Sequence, residues 1–102
     1  MPYKNKADLK AYNRRKHRKN EEALRILKSE PCTDCKRKFP HYVMEFDHVP
    51  ERGKKRGTIA TLVGASSLEA PSVKEELAKC DLVCANCHKI RTYERRQQGI
   101  EP

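Results

Sequence analysis

Two pairs of cysteines constrain the fold of this chain more than any other feature of its sequence. Cys32 and Cys35 form the first pair and Cys84 and Cys87 form the second, with residues 36–83 between them. Two thiolates separated by two residues bind one metal ion from a single tight turn, and two such turns complete a tetrahedral four-thiolate site. The spacing therefore predicts a structural Zn²⁺ ion that joins the two ends of a small domain.

The composition explains why the chain needs such an ion. It has 102 residues, of which 36% are apolar, and no tryptophan. A chain of this size buries little apolar surface, so zinc binding should contribute directly to the folding free energy. The distance between the cysteine pairs exceeds the ~15–20 residues of a compact zinc ribbon, which predicts a folded segment between them. The fifth cysteine, Cys80, has no partner at this spacing and is interpreted as a small apolar residue in or near the core.

The sequence also indicates a compartment. It contains no apolar run near the ~20 residues that span a membrane, and its N-terminal residues lack the apolar stretch of a secretory signal. We therefore expect a reducing cytoplasm, where cysteines bind metal more often than they form disulfides.

Positive charge is concentrated near the N-terminus. The chain carries 23 Lys and Arg against 14 Asp and Glu, a formal net charge of +9, and residues 1–20 hold eight of the basic residues but only one acid. This excess predicts a polyanionic partner, and charge alone leaves nucleic acid, an acidic protein and an anionic membrane surface open. Because 7–27 contains neither Pro nor Gly, we predict a helix over about 6–28 that packs only near its C-terminal end.

The rest of the chain predicts a small α+β domain over residues 31–98, preceded by a basic N-terminal arm (1–30) and followed by a short tail (99–102). The assignments rest on apolar patterning, proline and capping signals. In order they are a strand at 42–46, a charged loop at 50–57, a turn or short strand followed by a loop at 58–72, a helix at 72–79 with Ser72 and Glu75 as a capping box, a strand at Leu82 and Val83, and a helix from Asn86 to Gln97 or Gln98.

Three residues beside the cysteine pairs, Asp47, His48 and His88, are candidates for a metal-binding and catalytic site. If one zinc ion holds both pairs, it fixes the start of the last helix, so that His88 lies in its first turn beside the strand that ends at Asp47. One carboxylate and one imidazole with open positions suit Mg²⁺, Mn²⁺ or a similar divalent ion. His48 points to the opposite side of the strand from Asp47, where it could face a substrate and act as a general base.

At these residues the sequence resembles the HNH endonuclease family, over about residues 32–96. The resemblance implies a zinc-stabilised ββα-metal fold and a metal-dependent endonuclease that hydrolyses phosphodiester bonds in DNA, nicking or cutting both strands, with 5′-phosphate and 3′-hydroxyl ends. RNA stays open as a substrate. Similar small proteins occur in bacteriophages and bacteria, which implies a bacterial host cytoplasm. The matching runs are Cys32-x2-Cys35, Val43-Met44-Glu45-Phe46-Asp47-His48 and Lys79-Cys80-Asp81-Leu82-Val83-Cys84-Ala85-Asn86-Cys87-His88.

The resemblance also implies roles for individual residues. Asp47 and His88 would hold the catalytic Mg²⁺ or other divalent ion, and His48 would be the general base. The family's middle asparagine, which orients the general base, has no counterpart shortly before the second cysteine pair. Asp81 or Asn86 could take that orienting role, and Asn86 could instead cap the last helix.

Basic residues in three segments are predicted to contact DNA phosphates, giving sequence-independent and salt-sensitive binding. Arg91 and Arg95 follow His88 by three and seven positions, so all three share a helix face. For the middle segment a solvated loop is the alternative. The predicted contacts are Arg14, Arg15, Lys16, Arg18 and Lys19, then Lys54, Lys55 and Arg56, then Arg91, Arg95 and Arg96.

Two alternatives to an autonomous nuclease remain open at this point. One is a zinc-knuckle protein that binds nucleic acid without catalysis. The other is a nuclease subunit that acts only within a phage packaging or restriction complex.

Overall fold

A computed structural model describes residues 6–100 of the chain. The described residues form a small α+β fold with one two-stranded antiparallel sheet. The first five residues of the predicted arm and the last two of the predicted tail lie outside them. The elements are α1 (Lys6–Leu27), β1 (Met44–His48), α2 (Ile59–Ala65), α3 (Pro71–Ala78), β2 (Cys80–Cys84) and α4 (Ala85–Gln97), with 3₁₀ turns at His41–Val43 and Pro50–Arg52.

Helix α1 agrees with the predicted helix to within one residue. None of its residues is buried, and two contacts fasten its second half to the rest of the protein. There Leu24 packs against α2 and α3, and the Asn20 side chain donates a hydrogen bond of 3.1 Å to the Val63 carbonyl. The predicted packing through the C-terminal end is therefore confirmed.

The segment between residues 58 and 72 was predicted wrongly. It contains α2, whose first turn is capped by the Thr58 hydroxyl, which accepts from the Thr61 N–H at 3.2 Å. The capping box at Ser72 is also wrong, because α3 begins one residue earlier. Pro71 occupies its first turn, where the fixed φ of proline suits the helix and its missing N–H costs no hydrogen bond.

The residue that caps the start of α4 differs from the prediction. Cys84, not Asn86, is the N-cap, and its sulfur accepts from the Cys87 N–H at 3.5 Å. Asn86 is exposed. The second cysteine pair therefore forms the first turn of α4, which ties the helix to the metal-ligand cluster.

The register of the sheet places the candidate residues. Strand β1 pairs with β2 so that Asp47 lies opposite Asp81 and His48 lies opposite Cys80. Strand β2 extends beyond its predicted limits, whereas β1 begins and ends two residues later than predicted, because Tyr42 and Val43 belong to a 3₁₀ turn. Because side chains alternate along a strand, Asp47 faces α4 while His48 faces α3, as predicted.

The apolar core consists of two small clusters. The first contains Cys32 and Cys84, one from each cysteine pair, together with Met44 and Val83. The second lies among α1, α2 and α3 and contains Ile59, Val63 and Val73. These seven are the buried apolar side chains of the described residues, which agrees with the small core expected from composition.

Cys80 packs against the second of these clusters. Burial raises the pKa of its thiol to about 11, so the thiol stays protonated and behaves as a small apolar group, as predicted. Within residues 6–100, no helix has both the length and the apolar character that crossing a membrane requires.

Candidate functional site

The four predicted cysteines converge. The Sγ atoms of Cys32, Cys35, Cys84 and Cys87 all lie within 4.8 Å of one another. Tetrahedral zinc with Zn–S bonds of ~2.3 Å requires sulfur atoms about 3.8 Å apart, so these side chains could hold a zinc ion with little movement. Among the described residues this is the one cluster of three or more His, Cys, Asp or Glu side chains at such distances.

Backbone groups prepare the cluster for a cation. Burial raises the pKa of Cys32, but backbone N–H groups, including that of Cys84 at 3.3 Å, outweigh it and lower the pKa to about 6. Burial and the three neighbouring cysteines raise the pKa of Cys87 to about 12. Four thiolates at this spacing repel one another, and a divalent cation removes that repulsion.

The first cysteine pair is also fastened directly to the sheet. Both the backbone N–H and the hydroxyl of Thr33 donate to the Leu82 carbonyl, at 2.9 and 2.8 Å. Lys36 closes the turn with a φ of 65°, and its N–H donates to the Cys32 carbonyl at 2.9 Å. The turn therefore holds its sulfur atoms against the strand that leads to the second pair.

Asp47 and His88 also meet. His88 Nε2 lies 3.2 Å from Asp47 Oδ1, and His88 Nδ1 lies 2.6 Å from Glu45 Oε1. A histidine that ligates a metal commonly donates its other ring N–H to a carboxylate, which fixes its tautomer and orientation. With Nδ1–H donated to Glu45, the Nε2 lone pair faces the Asp47 oxygen, and two electron-pair donors at this distance need a cation or a proton between them.

Two arginines also hold Asp47. Arg95 donates to both of its oxygens, at 2.6 and 2.7 Å, and Arg91 donates to Oδ2 at 2.8 Å. Burial raises the pKa of Asp47, but these guanidinium groups outweigh it and keep the pKa below its usual range. Asp47 is only 2% exposed, so its negative charge depends on these partners.

Arg91 extends this network to the turn that carries the first cysteine pair. It forms a two-bond pair with Asp34, at 2.7 and 2.6 Å, and donates to Asp81 at 3.0 Å. The sequence predicted Arg91 and Arg95 as phosphate contacts, and the structure places both guanidinium groups against carboxylates instead. The cause is the buried Asp47, whose charge must be compensated within the protein.

The side-chain partner of His48 is a residue that the sequence patterns did not predict. Glu76 Oε2 lies 3.1 Å from His48 Nε2, whereas Asp81 is paired with Arg52 and Arg91 on the other face of the sheet. Asn86, the other predicted partner, is exposed at the start of α4. One local signal was available. Glu76 follows the apolar Val73 by three positions on α3, so the two side chains lie on the same, inward-facing side of the helix.

Glu76 is completely buried and ionised. The backbone N–H of Arg56 donates to it at 3.0 Å and Lys79 Nζ at 2.9 Å, and these bonds lower the pKa of Glu76. An ionised carboxylate only accepts hydrogen bonds, so His48 Nε2 carries the proton and donates it. In a neutral His48 ring, Nδ1 is then the atom that keeps its lone pair and can accept a proton.

Replacing Glu76 with glutamine should destabilise the protein by about 3–5 kcal/mol, since it breaks a buried ion pair and leaves Lys79 uncompensated. Chemical denaturation of the zinc-loaded protein measures the change. Glu75→Gln is the matched control on the same helix. Its carboxylate is exposed and lies 3.8 Å from Arg56, so a change below about 0.5 kcal/mol is expected. Equal losses in the two variants would contradict the assigned role of Glu76.

The same contacts hold the basic loop beside His48. Lys79 Nζ donates to the Lys54 carbonyl at 2.9 Å, and the Arg56 N–H is bonded to Glu76. The side chain of Lys55 lines a surface groove together with His48. Glu45 lines this groove and also the groove that contains His88, so one residue of β1 borders both grooves.

Comparisons of the chain with protein-family models, with curated proteins and with solved structures find no match.

Of the remaining predicted contacts, Arg96 is exposed on α4 and the others lie on α1. Arg15, Lys16 and Lys19 line a groove between α1 and the segment that joins α2 to α3. Arg14 and Arg18 are exposed. Unlike Arg91 and Arg95, the basic residues at 14–19 keep their charges at the surface, where a polyanion can reach them.

Proposed function

We propose that this protein is a metal-dependent DNA endonuclease of the HNH type. The observation that carries the proposal is the 3.2 Å approach of His88 Nε2 to Asp47 Oδ1, with Glu45 behind His88. One oxygen and one nitrogen donor would hold a divalent ion such as Mg²⁺ and leave its other positions to water and phosphate oxygens. A bound ion there supplies Lewis-acid stabilisation of the phosphate and of the leaving 3′-oxygen.

The residues of the chain supply the proton transfer and the orientation. His48 Nδ1 accepts a proton from the attacking water, and the ionised Glu76 holds the ring by its Nε2–H and stabilises the imidazolium that results. Lys55, beside His48, and the neighbouring Lys54 and Arg56 attract the phosphate backbone. Arg91 and Arg95 position Asp47 rather than touch DNA.

Nicking of a supercoiled plasmid in the presence of Mg²⁺ or Mn²⁺ tests the proposal. The wild-type protein should convert the plasmid to nicked or linear DNA, and DNA ligase should reseal the nicks because the ends are 5′-phosphate and 3′-hydroxyl. His48→Ala should slow cleavage by roughly 10²–10⁴-fold, the usual contribution of a general base. His41→Ala, which removes a histidine outside the site, serves as the matched control.

A zinc-stabilised protein that binds nucleic acid without cutting it is the second candidate. The network around Asp47 favours it, because three hydrogen bonds from Arg91 and Arg95 already reach the carboxylate, and two guanidinium charges weaken its attraction for a divalent ion. Binding without cleavage under every divalent ion tested would select this candidate. Cleavage only after addition of a packaging or restriction protein would instead identify a subunit of a larger complex.

A further inference from the structure

The outer face of α4 carries residues that the zinc cluster and the Asp47 network do not use. Lys89, Tyr93 and Arg96 follow one another by four and three positions, which places them on one face of the helix. Together with His88 and Glu45 they line a groove between α4 and β1. Tyr93 is 64% exposed, so its ring is open to a ligand.

The cations of α4 fall into two classes. Arg91 and Arg95 are engaged by carboxylates and are less than a fifth exposed. Lys89 and Arg96 are exposed, and among the described residues neither lies within ion-pair distance of an acid. The accessible positive charge of this helix is therefore in the groove, beside His88.

We infer that this groove binds an unpaired stretch of a nucleic-acid strand, with phosphates against Lys89 and Arg96 and one base stacked on Tyr93. Cations that follow the backbone, combined with an exposed aromatic ring, are typical of single-strand binding. A duplex offers no free base face to the ring and would use the cations alone. The inference deepens the proposed function and rests on it for the choice of nucleic acid as the ligand.

The position of the groove gives the inference a consequence for the substrate. His88 lines the same groove, so a strand that lies along α4 passes the Asp47 and His88 pair. The preferred DNA would then contain an unpaired segment, such as a flap or a frayed end, next to the cleaved bond.

Fluorescence anisotropy with a labelled oligothymidylate tests the inference, using zinc-loaded protein without other divalent ions so that binding is read without cleavage. Tyr93→Ala should weaken binding roughly 5- to 100-fold, as expected for one stacked base, and Tyr93→Phe should retain it. A variant with both Lys89→Gln and Arg96→Gln should reduce the slope of log affinity against log salt by about 1.4, at ~0.7 per phosphate.

Tyr42→Ala and Lys74→Gln are the matched controls. Tyr42 is 77% exposed and lies outside the groove, and Lys74 is an exposed lysine on α3. Both should bind as the wild type does. Wild-type affinity in Tyr93→Ala, or an equal loss in Tyr42→Ala, would overturn the inference. The inference would also be overturned if the double variant lost affinity equally for the oligonucleotide and for duplex DNA while Tyr93→Ala changed neither affinity.

Together with the plasmid assay, these results test strand binding in the groove and the proposed cleavage activity independently. If the wild-type plasmid assay fails and the Tyr93 effect appears, the groove is supported and the proposed catalysis is wrong. If the plasmid is cut and Tyr93→Ala binds normally, the groove is wrong and the catalysis stands.

Discussion

Replacing Cys35 with serine is expected to abolish the folded state at room temperature. A structural zinc site contributes roughly 10–16 kcal/mol of apparent binding energy, whereas a small domain has only about 5–15 kcal/mol of total stability. The apolar core of two small clusters cannot compensate for that loss. Far-UV circular dichroism and the zinc content of the purified protein measure the effect, and a chelator should unfold the wild type in the same way, reversibly on addition of zinc.

Cys80→Ala is the control that separates metal binding from packing. Cys35 is exposed and Cys80 is half-buried against the core, so a pure packing account predicts the larger loss at Cys80. We expect the reverse, with a loss of about 1 kcal/mol in Cys80→Ala. If Cys35→Ser retains one zinc ion per chain and melts as the wild type does, the four-cysteine site is not what stabilises the fold.

The second large effect is expected from His88→Ala, which should abolish cleavage while DNA binding persists. If His88 holds the catalytic ion as proposed, its loss removes several kcal/mol of transition-state stabilisation, or roughly a 10³-fold fall in rate. The fold should survive, since the ion pair between His88 and Glu45 is partly exposed and contributes less than about 1 kcal/mol. Asp47 is a poorer choice for this test, because its removal would leave Arg91 and Arg95 without their partner.

Plasmid cleavage and DNA binding by gel shift measure the two properties of His88→Ala separately. His41→Ala again provides a histidine variant outside the site. Cleavage at the wild-type rate by His88→Ala would show that this residue does not hold the catalytic ion. Loss of binding together with cleavage would assign His88 to affinity rather than to chemistry.

Features with a strong local pattern were predictable from the sequence. The cysteine spacing predicted the cluster, and the cluster in turn placed His88 beside Asp47. The alternation of a strand placed His48 on the other face. Helix α1 was predicted from an uninterrupted segment without Pro or Gly.

Features that depend on tertiary contacts were not predictable in this way. Glu76 has no local pattern that connects it with His48, because the two residues meet only after α3 packs against the sheet. Arg91 and Arg95 were predicted to contact DNA phosphates because they share a helix face with His88, but both donate hydrogen bonds to the buried Asp47 instead. Helix α2 was missed although Thr58 is a good cap, because a seven-residue helix depends on packing more than on its own propensity.

The closing of the four-cysteine cluster has a consequence for how the protein folds during its synthesis. The first cysteine pair leaves the ribosome with only two thiolates, and its two partners follow after β1, α2 and α3 have been made. The strands of the sheet also pair across residues 49–79, so neither the sheet nor the metal cluster can form on the partial chain. Folding therefore follows translation past Cys87, and a nascent chain that stalls earlier carries an incomplete, exposed metal site and an unpaired strand.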